Sequence, residues 1–252
     1  MEVLGLSVTT GRYRDFIDEI KHLALSNKSS YVCVANVHML VEAHNNKSFA
    51  DIVNSADIVT PDGTPLVWAL RLLHKHTQDR VAGMDLLPDL LKQSEQDNIP
   101  VYFFGGTEEM IKKTVQFLKV KYPQLTVAGY YSPPFRPLTD TEKTEIERNI
   151  NRSNAKIVFA VLGCPKQEKW MASMKGKINA CMVGIGGALP VLIGEQKRAP
   201  KWMQKCGLEW LYRFMQEPRR LAKRYFVTNS IFIWLLLKAM LKQWVAPRTN
   251  RC

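Results

Sequence analysis

The chain has 252 residues, 46% hydrophobic and 23% charged, the balance of a soluble globular protein with enough apolar residues for a substantial core. Its five cysteines (Cys33, Cys164, Cys181, Cys206, Cys252) are odd in number and form no C-x-x-C pair. That excludes a disulfide framework or structural zinc site as the organising device and fits reduced thiols in a cytosolic setting. The formal charge is +12, and the stretch after residue 200 alone holds eleven Lys/Arg against two Asp/Glu, so the partner to expect is anionic: membrane headgroups, nucleic acid or a phosphorylated substrate.

In chain order, residues 3–8 read as a first strand, and no basic segment with a long apolar run precedes it as a signal peptide would require. Tyr13, Phe16, Ile17, Ile20 and Leu23 then follow helical spacing. Residues 31–35 form a continuous apolar strand, with Asn36 and His38 just past its end as polar candidates for a site. Residues 58–60 are a third strand. It runs into Pro61-Asp62-Gly63, a favoured turn sequence that also presents one carboxylate at the mouth of the helix carrying Leu66, Val67, Leu70 and Leu73. Asp62 is therefore placed like a catalytic base, where α/β enzymes keep their chemistry. Arg80 precedes the next helical pattern and can pair with Asp85 or bind phosphate.

Residues 101–105 form another strand, ending in Gly105-Gly106 and a Thr107-Glu108-Glu109 helix start. Strands follow at 125–130, 156–162 and 180–185, separated by helical patterns and by a Pro-rich loop at 132–137. The strand ends are again suggestive. The amides of Gly105 and Gly106, and of Gly186 and Gly187, can cradle a phosphate or ribose, although neither pair completes G-x-G-x-x-G. Lys166, Gln167 and Glu168 sit in a first helical turn that faces the same edge, where they either bind a diphosphate or sugar hydroxyl or cap the helix. Apolar strands alternating with helices give an α/β, Rossmann-like fold: a mostly parallel sheet with helices on both faces, here over residues 1–199.

Residues 200–252 read as a helical appendage. An aromatic-rich stretch from Trp202 to Met215 precedes Glu217-Pro218, where a basic helix starts with Arg219, Arg220, Lys223 and Arg224. The apolar run 231–237 is far short of the ~20 residues of a spanning helix, so an interfacial, peripheral contact with a membrane is expected, with self-association through the aromatic tail as its counterpart off the membrane. The aromatic residues are not interleaved with the basic ones, which ranks nucleic acid low. No D-x-D, H-E-x-x-H or His/Cys cluster with ligand spacing occurs, so phosphate handling is expected to use Arg, Lys and backbone amides, with no metal and no cofactor.

These strand-end motifs occur together in one family. Ala35-Asn36-Val37-His38, Thr60-Pro61-Asp62-Gly63, Arg80-Val81-Ala82-Gly83-Met84-Asp85, Phe104-Gly105-Gly106, Gly163-Cys164-Pro165-Lys166-Gln167-Glu168, Gly184-Ile185-Gly186-Gly187 and the tail from Gly207 to Arg220 make the chain resemble the WecG/TagA/CpsF family of bacterial glycosyltransferases. The resemblance implies an inverting, metal-independent transfer of a sugar from a UDP-sugar to a polyprenyl-diphosphate-linked saccharide. The expected location is the cytoplasmic face of the membrane, in cell-surface polysaccharide synthesis. It implies Asp62 as base, Asn36, Arg80 and Gln167 in substrate handling, and Arg213, Arg220 and Arg224 in a tail that covers the site and meets the lipid diphosphate. Many members carry Thr two residues before the matching Asn, where this chain has Val34, which leaves the donor sugar open among UDP-glucose, UDP-glucuronate and N-acetylated sugars. The alternative reading is a non-catalytic nucleotide-binding module at the membrane surface.

Overall fold

The structure, a computed structural model, describes residues 1–245, with the side chain of Lys205 left aside; Arg248, Arg251 and Cys252 lie outside the described residues. Among the described residues, eight strands and twelve helices follow one another. β1 (Glu2–Val3) and β2 (Leu6–Ser7) open the chain, followed by α1 (Tyr13–Leu25), β3 (Ser30–Ala35), α2 (Val37–Asn45), α3 (Lys47–Asn54), β4 (Ile58–Pro61), α4 (Thr64–His74) and α5 (Gly83–Gln96). The second half runs β5 (Val101–Gly105), α6 (Glu108–Lys121), β6 (Val127–Tyr131), α7 (Asp140–Arg152), β7 (Ile157–Val161), α8 (Lys166–Met174), β8 (Cys181–Gly184) and α9 (Ala188–Leu192). It ends in α10 (Lys201–Lys205), α11 (Glu209–Gln216) and α12 (Pro218–Val245).

Six strands form one sheet in the order β4-β3-β8-β7-β5-β6, and every pairing is parallel. Neighbouring residues on a strand point to opposite faces. Tyr31, Cys33, Ala35, Val59, Phe104, Ala160 and Met182 therefore join one core, with side chains from α2, α3, α4, α7, α8 and α12. Val32, Val34, Ile58, Phe103, Phe159 and Val183 join the other, with α1, α5, α6 and α9. Both faces are covered, so the strands read as unbroken apolar runs. β6 is the exception: at the sheet edge it is only partly covered, and Tyr130 is exposed.

One expected element is different. The apolar run 3–8 is not a strand of the sheet but a hairpin, β1 against β2, turned at Leu4 and Gly5, both with positive φ. A two-residue turn with φ > 0 at both positions suits tight antiparallel pairing. Val3, Leu6 and Val8 are buried all the same, which is why the run looked continuous.

The tail after residue 200 is not one aromatic helix followed by another. Gly207, at φ 72°, breaks α10 from α11, whereas α12 runs unbroken through Thr228-Asn229-Ser230 for 28 residues. Thr228 keeps its hydroxyl satisfied inside the helix by donating to the Arg224 carbonyl at 2.8 Å. Leu221, Thr228, Phe232 and Leu235 form the buried stripe of α12, which lies against α2 and α4. Phe226, Ile233, Trp234, Leu237, Leu241 and Trp244 remain exposed. By length and composition alone α12 would suffice to cross a membrane.

Candidate active site

The parallel sheet brings the ends of β3 and β4 side by side, with Val34 opposite Thr60 and Ala35 opposite Pro61. The Asp62 amide donates to the Ala35 carbonyl at 2.7 Å, tying the turn to the neighbouring strand. Gly63, at φ 95°, then releases the chain into α4, with Pro65 in the first turn. The turn reading of Asp62 is what the backbone shows: Gly63 makes the turn, and Asp62 sits at the strand end just before it. The segment bearing Arg80 is laced to the same strand, since Val81 N donates to the Pro61 carbonyl at 3.0 Å and the Thr60 hydroxyl to the Val81 carbonyl at 3.1 Å.

Around Asp62 the structure gathers charges from distant parts of the chain. Arg80 donates to Asp85 at 2.7 Å and to Glu209 at 2.9 Å. Arg198 donates to Asp85 at 2.5 Å, and its Nε lies 3.7 Å from Glu209. The Asp62 carboxyl is raised to about 7: burial lifts it most, the guanidinium groups of Arg80 and Arg213 hold it down, and the carboxylates of Glu209 and Asp85 push it up. At neutral pH such a group is divided between its two forms, as a general base should be.

Asn36 caps α2, its side-chain carbonyl accepting from Met39 N at 3.2 Å, which leaves its amide NH2 without a partner in that cap. His38 lies in the first turn of α2 beside Arg224. Burial, then that guanidinium, lowers its pKa. Val34 is buried in the core beside Gly83, so the hydroxyl expected of the family is replaced by an apolar contact. His38 Nδ1, Arg198 Nε, Glu209 Oε1 and Arg224 Nε are buried without hydrogen-bond partners among the described residues. Two of them, Arg198 Nε and Glu209 Oε1, face each other at 3.7 Å.

The other candidates separate into supports and outliers. Gln167 and Glu168 are buried rather than presented to a ligand. Gln167 accepts from Gly163 N at 3.1 Å, donates to Glu168 at 2.8 Å and packs under Gly184 and Gly186. It braces the two loops; Glu168 sits behind it, its carboxyl raised by burial. Lys166 is exposed on the far side of that turn. A Cβ at Gly105 would come 2.6 Å from the Val161 carbonyl oxygen, so the glycine is demanded by close strand packing. Gly106 donates to that same carbonyl at 2.9 Å and accepts from the Ser132 hydroxyl at 2.6 Å. Arg213 lies against Gly187, where a Cβ would meet its Nη2 at 2.8 Å. Of the tail cations, Arg213 and Arg224 reach the site; Arg219 and Arg220 are exposed, with Arg220 paired to Glu217. The sequence reading missed Arg198 and gave Glu209 no role. Among the described residues, no cluster of three or more His, Cys, Asp or Glu is arranged to hold a metal ion.

Comparison with known proteins is consistent with this geometry. The family model described as "Glycosyl transferase WecG/TagA/CpsF family" matches residues 1–246. A Bacillus spizizenii protein is 32% identical over 216 residues, covering 82% of each chain, and a Bacillus subtilis protein is 30% identical over 207 residues, covering 81% of this chain and 79% of its own. A Staphylococcus aureus protein is 24% identical over 245 residues, covering 96% and 94%. All three are named "N-acetylglucosaminyldiphosphoundecaprenol N-acetyl-beta-D-mannosaminyltransferase".

Proposed function

Because the chain belongs to the WecG/TagA/CpsF family of glycosyltransferases, we propose that it moves a sugar from a UDP-sugar to a polyprenyl-diphosphate-linked saccharide at the membrane surface, with inversion and without a metal ion. The observation that carries the chemistry is Asp62, a carboxyl near neutrality at a strand end, ringed by Arg80, Arg213 and Glu209. In the proposed step the acceptor hydroxyl oxygen attacks the anomeric carbon and its proton passes to ionised Asp62. The bond from that carbon to the UDP β-phosphate oxygen breaks, and UDP leaves with the electron pair. Attack from the face opposite the leaving group inverts the centre. Arginine side chains balance the diphosphate charge, the role a divalent cation has in other transferases. The relatives' names make UDP-N-acetylmannosamine and N-acetylglucosaminyl-diphosphoundecaprenol the first pair to try.

For attachment, α12 offers an exposed apolar face with Trp234 and Trp244, and Arg219, Arg220 and Lys223 at its start. We place it in the membrane interface, where apolar burial and headgroup attraction add. Off the membrane the same face would favour self-association.

The test is UDP release from a panel of UDP-sugars, with a short-chain polyprenyl-diphosphate-sugar acceptor and EDTA present. Acceptor-dependent release from one donor supports the reading. Release that EDTA abolishes overturns metal independence, and absence of any UDP binding overturns the transferase reading. Truncation before Glu217 should free the protein from liposomes; continued sedimentation would show that the tail is not the anchor.

A further inference from the structure

Glu209 stands in the first turn of α11, 129 residues beyond Arg80, whose Nη1 donates to its Oε2 at 2.9 Å. Its other oxygen faces Arg198 Nε at 3.7 Å. Asp85 closes the ring from the first turn of α5, accepting from both guanidinium groups. Arg198 also reaches the Met84 carbonyl at 3.5 Å, which Pro88, lacking an N–H, leaves free inside α5. The four side chains are 18–30% exposed, sheltered enough for their charges to be weakly screened.

A helix-first-turn Glu has an ordinary explanation as partner to the helix dipole. The geometry here adds something the dipole does not need. Arg213 lies four residues further on, so it shares the Glu209 side of α11. It rests on Gly187, in the loop after β8, where a Cβ would lie 2.8 Å from its Nη2 and displace the guanidinium. Just before α11, Gly207 packs on Thr64, directly after the Asp62-Gly63 turn; a Cβ there would lie 3.0 Å from the Thr64 Cβ. The helix is thus seated across the ends of β4 and β8, and the ionic part of that seat is Glu209.

We propose that Glu209 is a positioning residue of the transfer reaction: by engaging Arg80 and Arg198 it seats α11 so that Arg213 stands beside Asp62 at the glycine loop after β8. This deepens the transferase reading and rests on it. Glu209 itself touches no substrate. It acts through Arg213, which on that reading meets the diphosphate; its bonds to Arg80 and Arg198 are what hold α11 in place.

The experiment is a double-mutant cycle on the full chain in detergent or on liposomes, with Glu209→Gln, Arg213→Gln and the pair. Glu209→Gln keeps the shape and removes the charge. If Glu209 works by placing Arg213, kcat/KM should fall about tenfold in Glu209→Gln, about thirtyfold in Arg213→Gln, and no further in the double variant. A double loss equal to the product of the two, wild-type activity in either single variant, or loss that merely follows a fall in Tm would overturn the proposal. Hydrogen exchange along α11 supplies a readout independent of turnover: it should quicken in Glu209→Gln, and unchanged exchange would also overturn the seating. If the wild-type chain transfers no sugar while exchange still quickens, the transferase reading has failed and the seating has not.

Discussion

The two halves of the sheet's carboxyl edge are built differently. At β3 and β4 the strand ends carry Asn36, His38 and Asp62, and Arg80, Arg198, Glu209, Arg213 and Arg224 converge over them from loops and tail helices. Gly105 ends β5, with Gly106 just past it and Gly163 past the end of β7, and hydrogen bonds to the backbone organise them: Gly106 N to the Val161 carbonyl, the Ser132 hydroxyl to the Gly106 carbonyl, and Gly163 N to the Gln167 side-chain oxygen. One half gathers charged side chains from distant parts of the chain; the other is closely packed, and a Cβ at Gly105 would come 2.6 Å from the Val161 carbonyl oxygen.

The sharpest way to break this contrast is Asp62→Asn. Transfer should drop by about a thousandfold, the range expected for a lost general base, while UDP affinity by calorimetry stays within about twofold. A variant that turns over normally would move the chemistry elsewhere. On the opposite half, Gly105→Ala forces a Cβ toward the Val161 carbonyl at a φ of 109°, and should cost about 2–4 kcal/mol of stability in a denaturant titration. The surviving folded fraction should still react; full stability with lost turnover would give that half a chemical part.

The pH profile sharpens the same point. Because the reactive form of Asp62 is the ionised one, log kcat/KM should climb with unit slope below pH about 7 and level off above it. An acid limb near pH 4 would remove Asp62 from the role. The smallest effect is on stability. A carboxyl whose folded pKa lies above its unfolded value holds more protons when folded, so its ionisation destabilises the fold as pH rises from about 4 to about 7. Asp62→Asn should therefore gain about 1–2 kcal/mol over wild type at pH 8 and close to nothing at pH 4 by thermal unfolding, after allowance for partial exposure. A gain at pH 4 as large as at pH 8 would show that ionisation is not its source.

The core strands were legible because a parallel sheet buried on both faces leaves uninterrupted apolar runs, as in residues 31–35 and 157–161. The hairpin at Leu4-Gly5 was not, since its inward residues mimic a single strand. Asp62, Asn36 and Arg80 were legible because strand ends are local in sequence. What they contact was not: the Arg80–Glu209 bond spans 129 residues, and no local pattern encodes it. For Gln167 the place in a first helical turn was legible, but its burial and its bond from Gly163 were not, because both depend on loops distant from the turn.

That 129-residue span also orders events in time. At ~5–20 residues per second, Arg80 leaves the ribosome roughly 6–26 s before Glu209 does. In that interval Arg80 has Asp85 as a partner five residues away, so the nascent core need not carry a bare cation while it folds. The helices after residue 200 arrive later than the sheet, bringing the second carboxylate, Arg213 and the apolar face of α12 together. A chain interrupted before Glu209 would hold the Asp62 turn without Glu209 and Arg213 beside it.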